Sequence, residues 1–250
     1  MGHIIALAGK GGTGKTTLAA LIVRALVEKN IGSLLAIDAD PNSNLAEALG
    51  AAPGENLGAI LDRVSAAPDK IPAGMTKDRF IQLQVQTAVS EENGFDLLVM
   101  GKPEGPGCYC YVNNLLRGLM HQLIDDYDYI IIDNEAGLEH LSRRTTRLAD
   151  VLLVVSDASA VGLKSAKRVF ELAKALKFEV KRSLLVVNRT NQPPQADKIK
   201  DTGLEYLGTL PLDTKVEELS LVGKSIFSLP AQAPVFKTIN ILGDRIWKRS

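Results

Sequence analysis

The chain of 250 residues is 46% hydrophobic and 23% charged, with 29 acidic and 29 basic residues; one large apolar core is within reach, and no net charge marks a nucleic-acid or anionic-membrane binder. Two cysteines exclude a disulfide scaffold. The opening apolar run, "HIIALAG", is far too short for a signal peptide or a membrane span, and Ala6 breaks a myristoylation signal on Gly2, so a cytoplasmic protein is expected.

Runs rich in Ile, Val and Leu recur at 3–9, 33–40, 96–103, 127–135, 150–157 and 183–190, and a shorter one, "EYLGTLPLD", at 205–213 can add a further strand. Such continuous apolar strands, without alternation, suit a parallel sheet covered on both faces. After Lys15, residues Leu18, Leu21, Ile22, Ala25 and Leu26 keep helical spacing, and "NIG" ends that helix. Pro-rich stretches at 52–74 and 191–194 read as loops. The stretch "FIQLQVQTAV" (80–89) alternates as an edge strand does and fits a helix equally. Ala166, Val169, Phe170 and Ala173 mark another helix. Val235, Ile239, Leu242 and Ile246 mark a last one, which has too few aromatic anchors for a membrane surface and is expected to close over the sheet. Strand–helix alternation throughout predicts one α/β domain over 1–250, a doubly wound, mainly parallel sheet flanked by helices.

The first strand runs into "GKGGTGKTT", which matches G-x-x-x-x-G-K-[ST] between a strand and a helix. Gly9, Gly11, Gly12, Thr13 and Gly14 can fold into a nest of backbone N–H donors at a helix N-terminus. Lys15 then reaches the terminal phosphates, the Thr16 hydroxyl faces Mg²⁺, and Thr17 completes the cradle. Asp133 ends the strand "YIIID" as a Walker B carboxylate does. In "AIDADPNSN", Asp38 and Asp40 stand at the end of the second strand, on the ligand edge of such a sheet. One carboxylate there can hold Mg²⁺ through water and another can orient the attacking water, because phosphoryl transfer depends mainly on positioning and electrostatics.

The base is predicted from "VVNRTN". A guanine reader of the N-K-x-D type needs an acid at 191, where this chain has Asn, whereas Asn188 can pair with an adenine edge. ATP is therefore expected over GTP, with Arg189 beside the base and the "LPLD" turn (Pro211, Leu212, Asp213) lining its pocket.

"KGGTGKTT", "DADP" and "DNEAG" together resemble the deviant Walker A class of P-loop ATPases, which includes the MinD, ParA, arsenite-pump and nitrogenase-iron-protein groups. The resemblance implies an ATP-driven homodimer in which Lys10 crosses to the partner's phosphates and Asp40 activates water. For Lys10 it is the resemblance alone that assigns the role.

The two cysteines form "CYC". On extended backbone, residues two apart point the same way, so Cys108 and Cys110 offer two sulfurs to one point, as ligands of a soft or borderline metal. A structural zinc site wants about four ligands. His3, His121 and His140 do not obviously complete the set and read as structural. A two-fold dimer axis through the metal makes up the shortage, with four thiolates suiting Zn²⁺ or, in a flatter arrangement, Ni²⁺. "GPGCYCYVNNLLR" and "DNEAGLEHLSRRT" further resemble the CooC-type nickel chaperone ATPases of carbon monoxide dehydrogenase and acetyl-CoA synthase maturation. That resemblance implies Ni²⁺ held at the dimer interface and delivered to an apo-enzyme during hydrolysis. Thr13 departs from the aliphatic residue usual in the class.

Three rivals stand beside it. A MinD- or partition-type switch should carry a membrane-seeking tail or a basic DNA-binding patch, and an iron–sulfur carrier should have cluster ligands on separate loops or C-x-x-C spacing. An arsenite-pump ATPase usually repeats its domain within one chain. Neither nucleic acid nor stable membrane attachment is expected.

Overall fold

The structure is a computed structural model that describes residues 2–40, 42–67, 69, 71–101, 125–135 and 148–248. The strands in chain order are β1 (His3–Gly9), β2 (Leu34–Ala39), β3 (Ser90–Glu92), β4 (Phe95–Val99), β5 (Tyr129–Asn134), β6 (Leu148–Ser156), β7 (Glu179–Val187) and β8 (Glu205–Thr209). The described helices are α1 (Lys15–Lys29), α2 (Asn44–Leu49), α3 (Leu57–Ala66), α4 (Lys77–Ala88), α5 (Ala160–Ala175), α6 (Ala196–Lys200), α7 (Thr214–Leu221) and α8 (Pro234–Trp247). None of them is long and apolar enough to cross a membrane.

All eight strands form one sheet in the order β3-β4-β2-β5-β1-β6-β7-β8. Every pairing is parallel except β3 against β4, an antiparallel hairpin at one edge. The predicted doubly wound α/β fold is the observed one.

Why both faces are covered follows from β1, every residue of which is buried. Ile5 and Leu7 pack with Leu21 and Ile22 of α1 and Phe236 and Ile239 of α8. Ile4, Ala6 and Ala8 point the other way, toward Ile60 of α3, Ile81 of α4 and Ala166 of α5. Each large aliphatic side chain buried in these layers stabilises the fold by about 1.5–3 kcal/mol before conformational entropy is counted. At the opposite end of β1 from the phosphate loop, His3 Nε2 donates to the Ile246 carbonyl at 2.9 Å, and Tyr129 Oη donates to the Trp247 carbonyl at 3.3 Å. His3 is thus the structural residue expected, tying the end of α8 to the sheet.

One expectation changes, one ambiguity is settled, and one strand is shorter than its run. Residues 57–66, inside the stretch read as Pro-rich loop, form α3, capped by the Asn56 side chain accepting from the Ala59 N–H at 2.9 Å. The ambiguous alternation at 80–89 belongs to a helix, α4, which buries Ile81, Val85 and Ala88 on one stripe. The "EYLGTLPLD" run forms β8 only to Thr209, and the rest turns toward α7.

Candidate functional site

Parallel strands bring their C-terminal ends to one edge of the sheet, and the functional residues gather there. Gly9 ends β1 opposite Val155 of β6, while Asp38 of β2 pairs with Asp133 of β5. The phosphate loop spans from Gly9 to Lys15. Gly12 (φ 78°) and Gly14 (φ 86°) take left-handed conformations that favour glycine. A Cβ on Gly14 would also stand 2.5 Å from Asn188 Nδ2, so this position excludes side chains twice over.

The loop is held from within and from β7. Thr13 Oγ1 donates to the Lys10 carbonyl at 2.8 Å, and Lys15 Nζ donates to the same carbonyl at 3.3 Å. Asn188 Nδ2 donates to the Thr13 carbonyl at 2.9 Å, its Oδ1 accepts from the Arg189 N–H at 2.9 Å, and Arg189 Nη1 donates to the Gly12 carbonyl at 3.2 Å. Asn188 and Arg189 therefore brace the phosphate loop as well as lining the hollow beside it. The Asn188 amide keeps one N–H and one lone pair beyond these bonds. Lys10 is exposed.

Three acidic side chains bear on Lys15, and Asp38 and Asp40 bear on Asp133. Burial lowers the Lys15 pKa, and Asp133, Asp40 and Glu135 partly offset this. Asp38 is fully buried, and its carboxylate accepts from the Leu45 N–H at 2.8 Å and the Asp40 N–H at 3.1 Å. Burial raises its pKa to about 6 despite those bonds. Asp40 Oδ1 accepts from the backbone and side-chain N–H groups of Asn42 at 2.9 and 3.0 Å.

Asp133 is different. It is 1% exposed, and neither carboxylate oxygen has a hydrogen-bond partner among the described residues. Burial raises its pKa to about 7; the Thr16 hydroxyl, close by but outside hydrogen-bond geometry, and Lys15 pull it down, while Asp38 and Asp40 push it up. A buried carboxylate without partners costs several kcal/mol unless something arrives to pair with it. A hydrated divalent cation bound with phosphate satisfies that demand, and an Asp beside a Thr hydroxyl is an all-oxygen donor set of the kind Mg²⁺ takes. The residues present therefore fit Mg²⁺.

Beside the loop lies a hollow of about 370 Å³ lined by Thr17, Asn188, Arg189, Pro211, Leu212 and Asp213, among others. All the residues predicted to flank the base thus share one cavity. Asp213 contributes wall rather than a free carboxylate: it caps α7 by accepting from the Lys215 N–H at 3.1 Å and accepts from the Val235 N–H at 3.4 Å. The same cavity takes in Val216, Glu217, Ser220 and Leu221 of α7, which the sequence reading missed. The Asp cap at 213 was the available signal of a helix there.

Cys108, Cys110, His121 and His140 lie outside the described residues. Among the described residues no group of three or more His, Cys, Asp or Glu side chains makes a metal site by itself.

Comparison with known proteins agrees with this arrangement. The family model described as "AAA domain" matches residues 2–186. An uncharacterised ATP-binding protein of Methanocaldococcus jannaschii is 42% identical over 250 residues, covering 97% of this chain and 98% of that protein. The carbon monoxide dehydrogenase accessory protein CooC of Rhodospirillum rubrum is 32% identical over 240 residues, covering 90% and 89%. Among solved structures, the septum site-determining protein MinD of Pyrococcus horikoshii, complexed with Mg-ADP, superposes with a TM-score of 0.72 at 20% identity over 99% of this chain and 97% of that one. This last likeness speaks to the fold alone.

Proposed function

The chain belongs to the AAA domain family, and from that premise we propose that it is an Mg²⁺-dependent ATPase that dimerises around nucleotide and carries Ni²⁺, or Zn²⁺, on Cys108 and Cys110 to an apo carbon monoxide dehydrogenase or acetyl-CoA synthase. The observation carrying the ATPase half is the buried Asp133, without a hydrogen-bond partner among the described residues, close to Thr16 and Lys15 beneath a glycine-built phosphate loop. The nickel half is supported by the Cys-x-Cys spacing and by the CooC relative.

Backbone N–H groups of the loop and the N-terminus of α1 receive the phosphate oxygens. Lys15 exchanges its long bond to the Lys10 carbonyl for the β- and γ-phosphates, and its reduced hydration strengthens that contact. Asp40 orients the attacking water in line with the γ-phosphorus; the P–O bond to the β-phosphate breaks as the new one forms, the water's proton passes to the released phosphate, and ADP departs with the negative charge. The Thr16 hydroxyl, with Asp38 and Asp133, would hold Mg²⁺ here, and the ion when bound would supply charge neutralisation at the phosphates. Lys10 reaches the partner's phosphates, which couples turnover to opening of the thiol cage between protomers. Nickel here is cargo.

Metal titration coupled to size-exclusion chromatography tests the reading, with and without ATP, on the wild type and on a Cys108→Ala/Cys110→Ala variant. The expected outcome is one Ni²⁺ per two chains, lost in the variant, with ATP hydrolysis retained by both. Equal metal content in both would remove the chaperone reading and leave a MinD/ParA-like nucleotide switch.

A further inference from the structure

On the β7 side of the molecule, α5 and α6 border an open hollow of about 460 Å³. Lys164 and Lys167 of α5 and Lys198 of α6 line it, with Ala160, the buried Leu163 and Asp201 between them. Lys164 and Lys167 are one helical turn apart and so share a face. None of the three lysines makes an ion pair or hydrogen bond among the described residues, whereas at the far end of β7 Lys181 meets Asp150 at 2.6 Å and Arg182 meets Glu205 at 2.8 Å. The chain is neutral overall, yet residues 160–201 hold ten basic side chains against four acidic ones. Three ammonium groups around one hollow give it a positive surface that a negative partner complements.

From this geometry we infer that the α5–α6 hollow is a docking site for an acidic segment of a partner protein, one presenting two or three carboxylates to Lys164, Lys167 and Lys198. The chemistry of the hollow selects that partner over others. A small anion is poorly served, because all three lysines are exposed and stand around an open hollow, where ligand sites usually enclose most of the ligand. A nucleic acid wants a track of cations along its phosphates, whereas here the charge converges on one hollow with Asp201 in its lining. A membrane wants apolar anchors, and Val161 is the one strongly exposed large hydrophobic among the described residues of α5 and α6.

The location gives the docking site a reason. β6 runs parallel to β1, with Val155 opposite Gly9, so the start of α5 sits on the same sheet edge as the phosphate loop. A partner gripping Lys164 therefore stands near that edge, on the sheet face opposite to α1. This inference goes beyond the nickel reading and does not depend on it.

Fluorescence anisotropy of a short labelled oligoglutamate on the full chain tests it. The combined Lys164→Glu, Lys167→Glu, Lys198→Glu variant is compared with Lys77→Glu, Lys237→Glu, Lys248→Glu, which removes equal charge from other faces. We expect salt-sensitive binding by wild type, an affinity loss of about tenfold or more in the first variant, little loss in the second, and ATP hydrolysis unchanged in both. A Lys→Gln triple at 164, 167 and 198 provides the same comparison should charge reversal unfold the chain. Equal losses in the two variants, wild-type affinity in the first, or stronger competition by duplex DNA or anionic vesicles at matched charge would each overturn the assignment.

Discussion

Asp133 shows most directly how one residue sets both chemistry and stability. Its folded pKa of about 7 stands above the ordinary aspartate value, so the unfolded chain ionises first as pH rises. The protonated form is the one the buried site favours. Folded stability is therefore full below pH 4, declines as pH climbs toward 7, and levels off once Asp133 is charged in both states. Asp133→Asn removes Asp133's share of that decline and leaves the smaller one that comes from Asp38, whose pKa burial raises to about 6. We expect the variant to match wild type near pH 4 and to exceed it at pH 8 by on the order of 2–4 kcal/mol, given about 1.4 kcal/mol per pKa unit. Thermal melts of nucleotide-free protein across that range check the widening gap, and saturating Mg-ATP should narrow it at pH 8. A constant gap at all pH values would mean that the effect is packing and not charge. The identity of this residue was legible, since a strand ending "IIID" after a phosphate loop needs a carboxylate. Its lack of partners was not, because that depends on which neighbours crowd it in three dimensions.

Elements differ in how far their patterns betray them. The spacing of Leu57, Ile60, Leu61 and Val64 is helical, and Asn56 caps it, so α3 was readable within a stretch that its prolines marked as loop. In α4, apolar residues at 81, 83, 85 and 89 imitate a strand, but Thr76 accepts from the Arg79 N–H at 3.3 Å and starts a helix that buries residues 81, 85 and 88. The cap decided between two periods that the side chains left balanced. The short helix α7 carries a different lesson: none of its residues is buried, and it stands between the hollow of about 370 Å³ and a second one of about 320 Å³, both lined by Thr17, Val216 and Ser220. Leu221 at its end is 86% exposed and Val222 just beyond is 65% exposed. A helix so thinly packed opens at little cost, and a base filling one hollow supplies the contacts it lacks. Hydrogen exchange should find the α7 amides poorly protected in free protein and slowed about tenfold or more by Mg-ADP, with the buried stripe of α8 protected in both states. Protection of α7 that ignores nucleotide would make it a fixed wall.

At the scale of the whole molecule, Lys10 is exposed while Lys15 of the same loop is buried, and the proposed dimer gives the two lysines separate roles. Lys15 is committed to its own protomer by position. Lys10 gives its carbonyl to Thr13 and Lys15 while its side chain stays in solvent, free to act in a second copy. Under the proposed dimer, Lys10→Ala lacks the lysine that its partner's site requires, and Asp40→Asn lacks the water-orienting carboxylate of its own site. Each variant alone should hydrolyse ATP at a small fraction of the wild-type rate. Mixed in equal amounts they form heterodimers in which one site combines an intact Asp40 with a Lys10 from the other chain. Random pairing makes about half the dimers mixed, each with one working site of two, so roughly a quarter of wild-type activity should return. Steady-state phosphate release from the mixture, against each variant at the same total concentration, measures it. Activity no greater than the sum of the separate variants would place Lys10 in its own site or in none, and would separate hydrolysis from the dimer that the thiol cage requires.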